Sequence, residues 1–128
     1  MRQAVRLQEM YEKYSDKADF YWIYIQEAHA IDGRRPSRTV KIALHKTIDD
    51  RREAAGGCSK VSPLKAPVLL DDMEDTVAKA YSARPERFFI LGANGKVIYS
   101  GGRGPFGVDL DALEKSLALN TEKANASK

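Results

Sequence analysis

The segment Phe20-Tyr-Trp-Ile-Tyr-Ile25 limits what this chain can fold into more than any other. Its residues are aromatic or β-branched, and both faces of a period-two pattern are apolar, which suits a strand covered on both sides. Cover has to come from helices, and the flanking sequence offers them. Residues Met1 to about Tyr14 place Ala4, Leu7, Tyr11 and Tyr14 at spacings of three and four, with Arg2, Arg6, Glu9, Glu12 and Lys13 elsewhere. This predicts an amphipathic helix from the first residue onward. No N-cap residue, turn or entering strand precedes it, so the chain reads as if it begins mid-fold. With 128 residues there is room for one domain and one core.

Further along, Asp32 to Pro36 has the composition of a loop, and the stretch to Ile42 has no clear pattern. Thr47 reads as the N-cap of a second helix with Asp49 and Asp50 in its first turn, and Gly56-Gly57 is expected to stop it. Ala66 to Asp71 predicts a second strand, with Pro67 near its start. Asp71 or Asp72 then caps a third helix to about Ala83 that buries Met73, Val77, Ala80 and Tyr81. Glu86–Leu91 and Lys96–Tyr99 flank Gly92-Ala-Asn-Gly95, and an Asn-Gly pair between apolar runs predicts a β-hairpin. The glycine-rich turn Gly101-Gly-Arg-Gly-Pro105 leads to a last helix from Asp109 to about Leu119. A domain over 1–119 and a disordered polar tail over 120–128 follow. Helices and strands alternate, so the fold class is α/β, with a mixed sheet, flanking helices and a C-terminal hairpin plus helix. That is the layout of a thioredoxin-like domain without its first strand. Pro85, just before the third strand, stands where such domains carry a cis-proline beside the active site.

Several function classes drop out on charge and composition. Lys and Arg number 21 against 18 Asp and Glu, a net charge of +3 with the signs interspersed, which gives no footprint for nucleic acid. The longest apolar run, Phe20 to Ile25, is far short of the roughly 20 residues of a membrane span, and no secretory signal is visible. One cysteine excludes an intramolecular disulfide and a cysteine-rich zinc site, and two histidines without ligand-spaced carboxylates give no metal site. A reducing, cytoplasmic setting is expected.

Five stretches then carry a resemblance: Tyr24-Ile-Gln-Glu-Ala-His-Ala-Ile-Asp-Gly33, Leu44-His-Lys-Thr-Ile-Asp-Asp-Arg51, Leu70-Asp-Asp-Met73, Pro85-Glu-Arg-Phe88 and Tyr99-Ser-Gly-Gly-Arg-Gly-Pro105. In this order they resemble the iodothyronine deiodinase family, thioredoxin-fold reductive dehalogenases. The likeness covers residues 1 to about 119. It implies a selenocysteine, or a cysteine, at the junction of the first strand and first helix, in a motif ending Pro-Pro-Phe. The helix after that motif resembles Met1 to Tyr14 here, so the nucleophile is expected upstream of Met1.

The resemblance also implies roles for residues that are present. Glu27 and His29 are similar to the family's catalytic pair, His29 as the active-site histidine and Glu27 as its orienter or proton relay. His45 resembles a second histidine that contacts substrate, and Arg103 an arginine that receives the substrate's polar end, a task suited to its planar donor fork. All four, by this likeness, converge on one cleft. Read without the family, each is an ordinary loop or surface residue. Cys58 lies far along the chain from the nucleophile's place, has no second thiol, and reads as inert or incidental. Tyr21, Trp22 and Tyr24 read as core or rim aromatics. The implied partners are a small halogenated phenol or iodothyronine-like substrate and an external thiol reductant. No bound cofactor, metal, nucleic acid or membrane is expected, and a homodimer is compatible with the reading. Two alternatives stay open: a non-catalytic protein that keeps the binding cleft, and a thiol peroxidase or oxidoreductase using Cys58. The lost central strand is expected to leave the chain only marginally stable.

Overall fold

The computed structural model describes residues 2–38 and 42–126; residues 39–41, within the patternless stretch before Ile42, lie outside it, as do Met1, Ser127 and Lys128. In chain order the elements are α1 (Arg2–Tyr14), β1 (Trp22–Tyr24), α2 (Ile48–Val61), β2 (Val68–Leu70), α3 (Thr76–Ala80), β3 (Phe89–Leu91), β4 (Val97–Ser100) and α4 (Leu110–Ala126). The fold is mixed α/β. Helix α1 buries Leu7, Met10 and Tyr14. These meet Leu113 and Leu117 of α4 to form the core, with Phe20, Trp22, Phe88, Ile90 and Tyr99 packed against it. Met10 is 1% exposed, and burying such a side chain contributes about 1.5–3 kcal/mol. Tyr11 sits at the rim instead, its ring edge-on to Phe20 with centroids 5.5 Å apart. Arg6 spans the two helices, donating to Asp111 (2.6 Å) and Glu114 (2.9 Å).

The strands form two sheets where the sequence predicts one. β1 pairs with β2 in parallel, Ile23 opposite Leu69, and β3 pairs with β4 antiparallel, Ile90 opposite Tyr99, with an irregularity between Ile90 and Leu91. No ladder joins β1 to β3 among the described residues. They touch through side chains, Trp22 edge-on to Phe88 at 6.1 Å. The two-sided cover expected for Phe20–Ile25 is incomplete for the same reason, and Ile23 remains 42% exposed.

Local signals fare better. Thr47 caps α2 through a capping box: its hydroxyl accepts the Asp50 N–H while the Asp50 carboxylate accepts the Thr47 N–H. The Gly56-Gly57 stop does not occur. Helix α2 runs through both glycines to Val61 and ends at Ser62, whose extended backbone precedes Pro63. Helix α3 is shorter than predicted at both ends, where Asp75 before it (φ 58°) and Ser82 after it (φ 48°) are left-handed. Asp71 and Asp72 do supply its caps, Asp72 to the Thr76 N–H and Asp71 to those of Val77 and Ala78. Ala78, not Ala80, faces inward. The hairpin turns at Gly92–Gly95, with Gly95 at φ 79° and the Lys96 N–H on the Asn94 side chain. Asp109 caps α4 through the Ala112 N–H. The expected tail from Asn120 is helical as far as Ala126. The buried Thr121 hydroxyl satisfies itself on the carbonyls of Leu117 and Ala118, so polar composition does not end the helix there.

Candidate functional site

Parallel strands β1 and β2 end side by side, the Asp71 N–H donating to the Tyr24 carbonyl. In α/β sheets the crevice beyond the carboxyl ends of parallel strands is where ligands bind. Here it receives Gln26 to His29 from β1 and Asp71 to Asp75 from β2. A cleft of about 370 Å³ opens at this level, lined by residues 23–29, Pro85, Glu86 and Pro105. That lies within the usual range for small-molecule sites, about 300–1,000 Å³. The Arg84–Pro85 and Gly104–Pro105 peptide bonds are both cis, so both prolines on the wall follow cis bonds. A second concavity, about 440 Å³, borders Arg2, Val5, Arg6 and Glu9 among the described residues. Those four residues form one face of α1, and among the described residues no acid–base pair like that of Tyr24 and Glu27 lines it.

On the cleft wall the Tyr24 hydroxyl donates to Glu27 Oε2 at 3.1 Å. Burial, then the neighbouring Cys58 and Glu27, pushes the Tyr24 phenol well above its ordinary value. It therefore remains a proton-bearing donor. His29 is exposed, and its Nδ1 lies 3.0 Å from the Arg35 carbonyl oxygen. A carbonyl only accepts, so Nδ1 carries a hydrogen and Nε2 is left to face outward chemistry. Glu27, His29 and Pro85 thus share the cleft.

His45 and Arg103 stand apart from that lining. The His45 ring packs beside Tyr24, centroids 5.7 Å apart, and its Nδ1 accepts from Arg51 Nε at 3.2 Å. Its Nε2 is shielded from water and has no partner among the described residues. Burial first, and the Arg51 cation second, hold its pKa below the ordinary value. Arg103 is exposed in the turn that supplies Pro105, and its side chain makes no hydrogen bond or ion pair among the described residues. Among those residues no group of three histidine, cysteine, aspartate or glutamate side chains is placed to hold a metal, and no helix is long and apolar enough to cross a membrane.

Three members of this neighbourhood escape a sequence reading. The Tyr24 hydroxyl reaches Glu27 although the residue patterns as a rim aromatic; its spacing of three from Glu27 is the only signal. Cys58, expected as an incidental thiol, is close enough to the Tyr24 hydroxyl to act on its charge. Arg51 is 2% exposed and occupies an inward position one turn before Ala55, where a residue of this type gives no sequence signal.

These features define a mixed α/β domain with a cleft at the carboxyl end of β1, on whose lining Tyr24, Glu27 and His29 lie. The family model described as iodothyronine deiodinase matches residues 1–121, and the chain belongs to that family. It is 39% identical over 99 residues to the type I iodothyronine deiodinase of Xenopus laevis, covering 77% of this chain and 38% of that protein. It is 34% identical over 124 residues to the thyroxine 5-deiodinase of Ovis aries, covering 96% and 42%. To the Rattus norvegicus thyroxine 5-deiodinase it is 32% identical over 129 residues, covering 100% and 42%. The chain spans about two fifths of the length of these curated relatives.

Proposed function

We propose that this chain forms the thioredoxin-like part of a reductive dehalogenase acting on iodothyronine-like or other halogenated phenols, with a selenocysteine or cysteine nucleophile outside these 128 residues. The observation that carries the reading is the Tyr24–Glu27 pair beside His29 on one cleft wall, in a chain of the deiodinase family. Reductive deiodination needs a soft nucleophile and a proton source. The selenolate or thiolate takes iodine, the C–I bond electrons stay on the ring carbon, and that carbon gains a proton. One external thiol then displaces iodide from the Se–I or S–I bond, and a second thiol releases the enzyme as the disulfide forms. The net change is aryl iodide plus two thiols to arene, disulfide and hydrogen iodide.

Within that scheme His29 holds its Nδ1–H on the Arg35 carbonyl, so Nε2 is the atom that carries or returns a proton. Glu27, with Tyr24 on one oxygen, keeps its other oxygen for the relay. His45 and Arg103 are assigned to the substrate's polar ends, and the reductant is a cytoplasmic thiol. Iodide release from an iodophenol with a dithiol tests this, comparing the 128-residue chain with one extended upstream by a motif containing selenocysteine or cysteine. Release is expected only from the extended protein, with a loss of about 100-fold or more for His29→Ala, the usual contribution of a general acid or base. No release from the extended protein would overturn the reading. A second reading, thiol oxidoreductase or peroxidase through Cys58, is favoured by the closeness of Cys58 to Tyr24. Thiol-dependent turnover by the short chain that disappears in Cys58→Ser would favour it.

A further inference from the structure

Arg51 makes four donations from within the fold. Nη1 reaches the carbonyls of Asp71 and Asp72, Nη2 reaches Asp75 at 3.2 Å, and Nε reaches His45 Nδ1 at 3.2 Å. The first three tie α2 to the turn before α3 and fix the plane of the guanidinium. The fourth sets the state of His45. An arginine Nε bears a hydrogen and has no accepting lone pair, so His45 Nδ1 must accept. A neutral imidazole accepting at Nδ1 carries its hydrogen on Nε2. Protonating Nδ1 would set one N–H against another. His29 has the opposite arrangement, with Nδ1 donating to a carbonyl. The two histidines are therefore held in complementary tautomers.

We propose that Arg51 is a positioning residue: its Nε–H locks His45 as the neutral Nε2–H tautomer, which makes His45 a fixed hydrogen-bond donor for an oxygen of the bound substrate and bars it from acting as an acid. The substrate clause rests on the dehalogenase reading; the tautomer does not. Nε2 is shielded and unpartnered among the described residues; the His45 ring adjoins the cleft through Tyr24 rather than lining it, and a buried donor gains when a ligand supplies the acceptor. The charged and titratable groups around the ring are Arg51 and Asp50 of α2, Glu27 beyond β1 and Asp75 before α3, with the Tyr24 ring of β1 alongside. The backbone that follows His45 is held at the start of α2, the Lys46 and Thr47 N–H groups both donating to Asp50.

Long-range ¹H–¹⁵N correlation spectra of the full chain resolve its two histidines. His45 is expected as a single Nε2–H tautomer with an accepting Nδ1. Arg51→Lys, which keeps a cation but has no Nε–H, is expected to give a mixture of tautomers. Asp75→Asn, which weakens the Nη2 contact and removes one carboxylate charge near the ring but leaves the Nε–H in place, is expected to keep the single form. Should Arg51→Lys fail to fold, the wild-type and Asp75→Asn spectra still decide. A protonated Nδ1 in the wild type, or one unchanged tautomer in folded Arg51→Lys, would overturn the proposal. Adding an iodophenol is expected to shift the His45 Nε2–H resonance, and saturation without that shift overturns the donor role. A shift without iodide release from the extended protein would count against dehalogenation and leave the role of Arg51 standing.

Discussion

At position 45 burial acts on the imidazole first and the Arg51 cation second, and together they outweigh the carboxylates of Glu27, Asp50 and Asp75. The pKa is lowered from 6.5. Below about pH 6.5 the unfolded chain therefore binds a proton that the folded chain refuses, so stability falls with pH in that window. Asp50 and Asp72 act lower down. The Lys46 and Thr47 amides hold Asp50 below the ordinary 3.8, and Thr76, through hydroxyl then amide, does the same for Asp72. Their stabilisation is present above pH 3.8 and is lost as pH falls through the lowered folded values. Urea midpoints measured from pH 8 to pH 3 should show a plateau, a decline below about 6.5 and a second near 4 and below. His45→Gln should remove the first decline, and its persistence would assign it to another group. The family resemblance, not the residues alone, puts Glu27, His29, His45 and Arg103 at one cleft; Glu27 and His29 lie on its lining with Pro85, whereas His45 and Arg103 do not. The state of His45 could not be read from sequence, since its partner lies on α2 and is itself fixed by carbonyls of Asp71 and Asp72, twenty residues further on.

Elements follow the same division between near and far. The Thr47 cap, the Asn94-Gly95 turn and the start of the last helix at Asp109 are set by residues within four positions of one another, and all three are legible in the sequence. Helix ends set by tertiary contact are not. Thr121 is buried and α4 continues past it, whereas a run of polar residues from Asn120 reads as a tail. Gly56-Gly57 reads as a stop, yet each glycine in a helix costs only about 1 kcal/mol relative to alanine, and the capped start, the Arg51 contacts and the Ala55 burial outweigh that. A Cβ at Gly56 or Gly57 meets nothing within 4 Å. Gly56→Ala and Gly57→Ala should each stabilise the chain by about 0.5–1 kcal/mol, chiefly by restricting the unfolded state. Chemical denaturation measures this. Unchanged or reduced stability in both variants would mean that α2 is not continuous across them in solution.

For the molecule as a whole, surface area and sheet edges point to the same weakness. A compact monomer of this mass exposes about 6,800 Å² by the usual scaling; this chain exposes 9099 Å². The excess is larger than a standard protein–protein interface of about 1,600 Å². Apolar strand residues contribute to it, with Leu69 48%, Leu91 51% and Val97 49% exposed. On β1 the flanking bonds, Trp22 N–H to Pro67 and Asp71 N–H to Tyr24, place the ladder groups of Trp22 and Tyr24 toward β2. By strand alternation those of Ile23 turn the other way. On β3 the bond from the Gly101 N–H to the Phe88 carbonyl assigns Phe88 and Ile90 to β4, and Phe89 turns outward. The Trp22 indole N–H, beside Phe88, is buried without a partner among the described residues. In the thioredoxin-like reading a strand preceding α1 occupies the space between β1 and β3 and satisfies both edges. Two short open edges beside apolar surface favour strand addition from a neighbouring copy. The 128-residue chain is accordingly expected to self-associate at micromolar concentration and to unfold at a lower urea midpoint than an extended protein. Adding one apolar strand upstream should restore a monomer and raise the urea midpoint. Sedimentation velocity across a hundredfold concentration range, with denaturation of both proteins, distinguishes the outcomes. A short chain that stays monomeric throughout and unfolds in one reversible transition, as stable as the extended protein, would show that side-chain packing of Trp22 against Phe88 is enough to join the two sheets.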